Sequence, residues 1–162
     1  MLKKLQTVTL GCSKNKVDTE HILSQVEDLY EIIPEGEDIP VDVLLINTCG
    51  FIGDAKEESI QAVLEGVERK MRGDVGEVIV FGCLSQRYSS EMPELIPEVD
   101  AWFGAREFDP VIRALGAEPS DSRRSERYLT TPSHYAYLKI SEGCDRRCSY
   151  CAIPFIRGAH KS

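Results

Sequence analysis

The chain has 162 residues, enough for one domain of ordinary size with a core that needs no disulfides. Its apolar share of 42% is that of a globular protein, and no run approaches the roughly 20 apolar residues of a membrane-spanning helix. A net charge of −8 opposes non-specific binding to nucleic acid, and the first twelve residues hold no apolar stretch suited to a secretory leader, so a soluble, cytoplasmic protein is expected.

Leu5–Leu10 is a β-prone run ending in Gly11-Cys12. Lys16–Tyr30 carries apolar residues at 22, 23, 26, 29 and 30, which is helical spacing. Val41–Ile46 predicts a second strand, its unbroken apolar stretch suiting a parallel sheet covered on both faces, and it leads to Asn47-Thr48-Cys49. Asp54 with Glu57 reads as a capping box opening a helix to about Met71. Glu77–Phe81 predicts a third strand, ending in Gly82-Cys83, with a short helix over 85–90. Pro93 and Pro97 mark a loop, Ala101–Phe103 a fourth strand, and Phe108–Leu115 a helix stopped by Gly116.

Residues 117–133 are polar, with two prolines and almost no apolar periodicity, which is a linker composition. His134–Ile140 reads as a strand running into a loop that holds Cys144, Cys148 and Cys151. The acidic stretches at 20–42 and 54–68 read as solvated helix faces. Lys139, Arg146, Arg147, Arg157 and Lys161 form a basic tail, a weak signal for an anion.

The expected fold class is therefore α/β, with an open, mostly parallel sheet and flanking helices over residues 1–116. Residues 117–133 are the linker. Residues 134–162, one strand and one loop, cannot build a core. They are expected to open a further domain, which would make the chain a fragment, and to be poorly ordered in isolation.

Six cysteines in a cytosolic chain point to metal or redox chemistry rather than disulfides. Cys12, Cys49 and Cys83 each directly follow a predicted parallel strand, about one βαβ repeat apart. The carboxyl ends of such strands share one edge, so three thiols distant in sequence are brought to one place. Single cysteines at strand ends are usually packing, but three at matching positions are hard to assign that way. Three thiolates suit a [4Fe–4S] cluster with one iron free of protein ligands, whereas zinc asks for a fourth ligand. His21 is the one histidine of this domain and is expected on the surface of the first helix.

The CxxxCxxC loop is the sharpest local signal. Three thiolates within eight residues can wrap one corner of a cubane and leave its fourth iron open. A zinc knuckle with His134 or His160, and a redox pair of Cys148 and Cys151, are the competing readings. No glycine-rich phosphate loop follows any strand, which weakens the remaining alternative of a nucleotide-binding domain.

An aromatic residue before the last cysteine of CxxxCxxC, as in Tyr150-Cys151, resembles the radical-SAM motif, and the whole chain resembles the N-terminal part of a radical-SAM methylthiotransferase. The stretches Leu10-Gly11-Cys12-Ser13-Lys14-Asn15, Asn47-Thr48-Cys49-Gly50-Phe51-Ile52, Ala55–Ile60, Ser141–Cys148 and Ile153–Gly158 are similar to the RimO branch. Where this chain has Ser13-Lys14, the transfer-RNA-modifying branch typically has Gln-Met.

The resemblance implies two [4Fe–4S] clusters, one on Cys12, Cys49 and Cys83 and one on Cys144, Cys148 and Cys151. It also implies S-adenosyl-L-methionine at the second cluster, with Tyr150 against its adenine. The implied activity is insertion of a methylthio group at the β-carbon of an aspartate in a small-subunit ribosomal protein. The implied partners are that protein and an electron donor. A transfer-RNA adenosine methylthiotransferase and a zinc-binding interaction module stay open as alternatives.

Overall fold

A computed structural model describes residues 1–162. Its centre is a five-stranded parallel sheet in the order β2-β1-β3-β4-β5. The strands are β1 (Lys3–Thr9), β2 (Tyr30–Ile33), β3 (Val41–Thr48), β4 (Val75–Gly82) and β5 (Ala101–Trp102). Around it lie α1 (Ser13–Val26), α2 (Gly53–Arg72), the short α3 (Cys83–Arg87) and α4 (Met92–Leu95), and α5 (Phe108–Ala114), with α6 (Ile153–Arg157) near the end of the chain. No helix is long and apolar enough to cross a membrane.

The apolar strands are covered on both faces, and the two-residue period of β-structure sorts their side chains. Val43, Leu45, Ile79 and Phe81 pack with Ile22, Leu23 and Val26 of α1 and with Val111 and Ile112 of α5. Leu44, Ile46, Val78 and Val80 pack instead against Val63 and Val67 of α2 and against Ile96 and Val99. The result is the three-layer α/β architecture expected from the alternating elements.

Strand β2 is absent from the expected elements. Leu29 and Tyr30 fit the helical spacing, yet α1 stops at Val26 and Tyr30 turns into a strand paired with Lys3. Its hydroxyl donates to the Leu115 carbonyl at 2.8 Å, tying the sheet edge to α5. The chain then returns to the other side of β1, so the winding direction reverses between β1 and β3. Ligands of doubly wound sheets bind outside the carboxyl ends of the strands at such a reversal.

Three local expectations are corrected. The residue before α2 is Ile52, which makes no side-chain cap, so Asp54 and Glu57 form no capping box there. Pro93 stands inside the short α4, at its start, where a missing N–H costs nothing. Residues 134–140 form no strand, and Leu138 and Ile140 are exposed. A strand needs a neighbour for its N–H and C=O groups, and residues 134–140 pair with no strand of the sheet.

The polar segment 117–133 lies along α1 instead of tethering freely. Ser120 and Gln25 exchange hydrogen bonds, the Tyr128 N–H donates to the Glu20 carbonyl at 3.0 Å, and the Thr130 N–H and hydroxyl both donate to Glu20 Oε1 at 2.9 Å. Glu20 is thus fully buried on a helix whose acidic residues read as solvated. Helix α2 does present the expected wet face, with only Ser59, Val63, Gly66 and Val67 buried.

Candidate metal centre

Each rim cysteine is placed by the end of a strand. Cys12 follows β1 and sits just before α1, Cys49 follows β3, and Cys83 follows β4 as the first residue of α3. The sulfurs of Cys12 and Cys83 lie 4.0 and 3.9 Å from one atom, Asn15 Oδ1. Two sulfurs so placed cannot be farther apart than the sum of those distances, although 71 residues separate them in sequence. Cys49 lies alongside: a Cβ added to Gly11 would stand 2.9 Å from its sulfur and 3.3 Å from Asn15 Nδ2. The three thiols therefore gather at the carboxyl edge of β1, β3 and β4, where the sheet reverses.

Buried polar side chains fix this edge. Asn15 donates from Nδ2 to the carbonyls of Leu10 at 2.8 Å and Thr48 at 3.2 Å, and so holds the β1 and β3 exits together. Asn47 Nδ2 donates to the Asn15 carbonyl at 2.8 Å and to Thr19 Oγ1 at 3.1 Å. The Thr48 hydroxyl donates to the Phe81 carbonyl at 2.8 Å, joining β3 to β4. Ser59 on α2 grips Cys49 at both ends of its backbone, accepting from its N–H at 2.8 Å and donating to its carbonyl at 2.9 Å. Asn15 and Asn47 stand beside the cysteines in sequence, but their role is not legible there because their partners lie on other elements.

The three thiols differ in environment. Cys12 is exposed, Cys49 is almost covered and Cys83 is fully buried. Burial pushes the Cys83 thiol up to about 11, against the opposing pull of the Arg157 guanidinium beside it. At mildly alkaline pH, iodoacetamide should therefore modify Cys12 and the exposed Cys148 at least about tenfold faster than Cys83, since the thiolate is the nucleophile. Peptide mass spectrometry over time checks this order, and equal rates for all three would contradict the packed edge.

No three His, Cys, Asp or Glu side chains stand close enough to share one metal ion. A [4Fe–4S] cubane asks for a wider spacing, because each thiolate binds a different iron. Three converging thiols, one of them open to solvent, fit such a group in donor type, number and address.

His21 is half-buried, edge-on to the Phe108 ring at 5.9 Å, rather than free on the surface. Burial lowers its pKa. His134 and His160 are exposed.

The CxxxCxxC segment is held at its two ends. The Cys144 N–H donates to the Gly158 carbonyl at 3.0 Å, and Glu142 pairs with Lys161. Cys148 and Cys151 face one cleft of about 560 Å³ together with Arg147, Ser149, Pro154 and Phe155, while Cys144 is not among its lining residues. Tyr150 is 91% exposed and stands outside the cleft. Beyond the loop, Ile156 of α6 packs on Cys83 and Ala105, so the segment docks onto the edge that carries the rim thiols.

Known proteins resemble the chain along nearly its whole length. The chain is 51% identical over 161 residues to "Ribosomal protein uS12 methylthiotransferase RimO" of Bacteroides thetaiotaomicron, which covers 99% of this chain and 37% of that protein. A protein of the same name from Porphyromonas gingivalis is 48% identical over 160 residues, 98% of this chain and 37% of the relative. One from Chlorobium phaeobacteroides is 50% identical over 155 residues, 96% of this chain and 36% of the relative. The chain thus spans little more than a third of the length of these relatives. Residues 4–104, the sheet with all three rim cysteines, match a family model described as "Uncharacterized protein family UPF0004", and the chain belongs to that family.

Proposed function

We propose that this chain is the N-terminal part of a radical S-adenosylmethionine methylthiotransferase, which inserts a methylthio group at the β-carbon of an aspartate in ribosomal protein uS12. The convergence of Cys12, Cys49 and Cys83 at the switch point of the sheet carries this reading, and the names of the similar proteins support uS12 as the substrate. Cys12, Cys49 and Cys83 would hold one [4Fe–4S] cluster, and Cys144, Cys148 and Cys151 a second. With S-adenosyl-L-methionine bound, these groups supply one-electron cleavage chemistry and the sulfur to be transferred.

The chain's own part is binding and exclusion. Asn15, Ser59 and the glycine exits hold the rim thiols in place, and the burial of Cys83 keeps water from one side of the edge. The exposed Tyr150 ring is free to lie against an adenine. Residues 1–116 form the sheet domain, 117–133 its strap to the next unit, and 134–162 the start of the radical-SAM domain. Six free cysteines suit the reducing cytoplasm in which ribosomal proteins are made.

A chimera tests the reading. Residues 1–162 replace the matching part of the Bacteroides thetaiotaomicron relative, and the hybrid is expressed in cells lacking that protein. Mass spectrometry of uS12 should then show one added methylthio group, lost in Cys12→Ala and Cys148→Ala versions. Methylthiolated adenosine in transfer RNA, with uS12 unmodified, would instead support the other branch. Stoichiometric zinc and no iron in the purified hybrid would support a zinc-binding module.

A further inference from the structure

Of the basic tail, Arg146, Arg147 and Lys161 are exposed, but Arg157 is 3% exposed and Lys139 turns inward. A buried guanidinium is held only where several acceptors compensate its lost hydration. Arg157 has them, and they come from both halves of the chain. Nη1 bonds Asp18 Oδ2 on α1 at 2.7 Å and Glu142 Oε2, two residues before Cys144, at 3.2 Å. Nη2 bonds Asn15 Oδ1, the atom that both the Cys12 and Cys83 sulfurs approach.

Lys139 closes the set. It bonds Asp18 Oδ1 at 2.7 Å and pairs with Glu142. Two carboxylates and two cations alternate, so the cluster is neutral, and Asp18, 4% exposed, is bonded on both oxygens. Burial works against the charge of Arg157, yet Cys83, Asp18 and Glu142 together hold its pKa above the ordinary value. Burial likewise opposes ionisation of Glu142, but Lys139 and Arg157 bring its pKa below the ordinary value.

We propose that Arg157 is a positioning residue that fixes the CxxxCxxC segment across the rim cysteines, with Asp18 as its anchor on the sheet domain. One guanidinium bonds the residue that both rim sulfurs face and the residue that opens the CxxxCxxC loop. Ile156 beside it packs on Cys83, so the same turn of α6 supplies both the polar and the apolar contact. The relative placement of the two cysteine sets then depends on a buried ion cluster with Arg157 and Asp18 at its centre. Metal ligation by either set is not assumed.

Amide hydrogen exchange on the whole chain tests this. Arg157→Gln should speed exchange over residues 142–158 at least tenfold while β3 and β4 stay as protected as in the parent. Asp18→Asn should do the same from the other side, and the double variant should add little, because both changes break one link. Arg157→Lys should restore part of the protection by keeping the charge near Asp18, which a role in packing alone would not produce. Unchanged exchange over 142–158 in both single variants overturns the proposal. So does a rise that extends through β3 and β4, which would make Arg157 a support of the whole fold. An iron-free parent protein would sink the cluster reading and leave this one standing on the exchange result.

Discussion

Gly82→Ala should unfold the chain or leave it barely stable, losing roughly 3–5 kcal/mol, while Gly73→Ala should lose only about 1 kcal/mol. Both glycines have positive φ, +108° and +87°. The difference lies in what a methyl group would meet. At Gly73, the left-handed residue closing α2, nothing stands within 4 Å. At Gly82 the added carbon would stand 2.5 Å from Asn47 Oδ1, 2.6 Å from the Thr48 carbonyl oxygen and 2.7 Å from the Thr48 nitrogen. Two of those atoms are backbone of the central strand and cannot swing aside. The ψ of −161° at Gly82 also places it in a region essentially reserved for glycine. Urea titration followed by circular dichroism gives both losses. Similar small losses at both sites would mean that the β4 exit is looser than described.

The Cys12→Ala/Cys49→Ala/Cys83→Ala variant should bind about four irons per chain after anaerobic reconstitution, where the parent binds about eight. The prediction follows from placement. Each of these thiols follows a different strand, yet all face one edge, while Cys148 and Cys151 of the CxxxCxxC loop line a cleft that includes none of them. Cys83→Ala alone should cost as much iron as the triple change, because two thiolates do not hold a cubane and the buried third position admits no replacement ligand. Iron and acid-labile sulfide assays decide this. Full iron content in the triple variant would remove the rim site from the account.

Much of the sheet was legible because its signal is local. The apolar runs of β3 and β4 declare strands buried on two faces, and the cysteine at the end of each could be read without knowing its neighbours. What escaped depends on partners distant in the chain. Strand β2 has four residues, and Leu29 and Tyr30, which lead into it, satisfy a helix equally well; only pairing with β1 decides. The polar residues of α1 look solvated in sequence, since composition cannot distinguish water from the backbone of residues 120–130 as their partner. The run 134–140 has strand chemistry without a strand beside it. At the candidate metal centre the thiols were visible by type and spacing. Asn15 and Arg157, which face them, were not, because 142 residues separate the two side chains that meet there.

The gathering of three strand-end thiols around one metal group is the claim on which the rest depends. Crystals of the anaerobically reconstituted chain, measured on both sides of the iron absorption edge, test it most directly. The account predicts an anomalous peak enclosed by the sulfurs of Cys12, Cys49 and Cys83, outside the carboxyl ends of β1, β3 and β4. Iron at the CxxxCxxC loop with none at the sheet edge would contradict it.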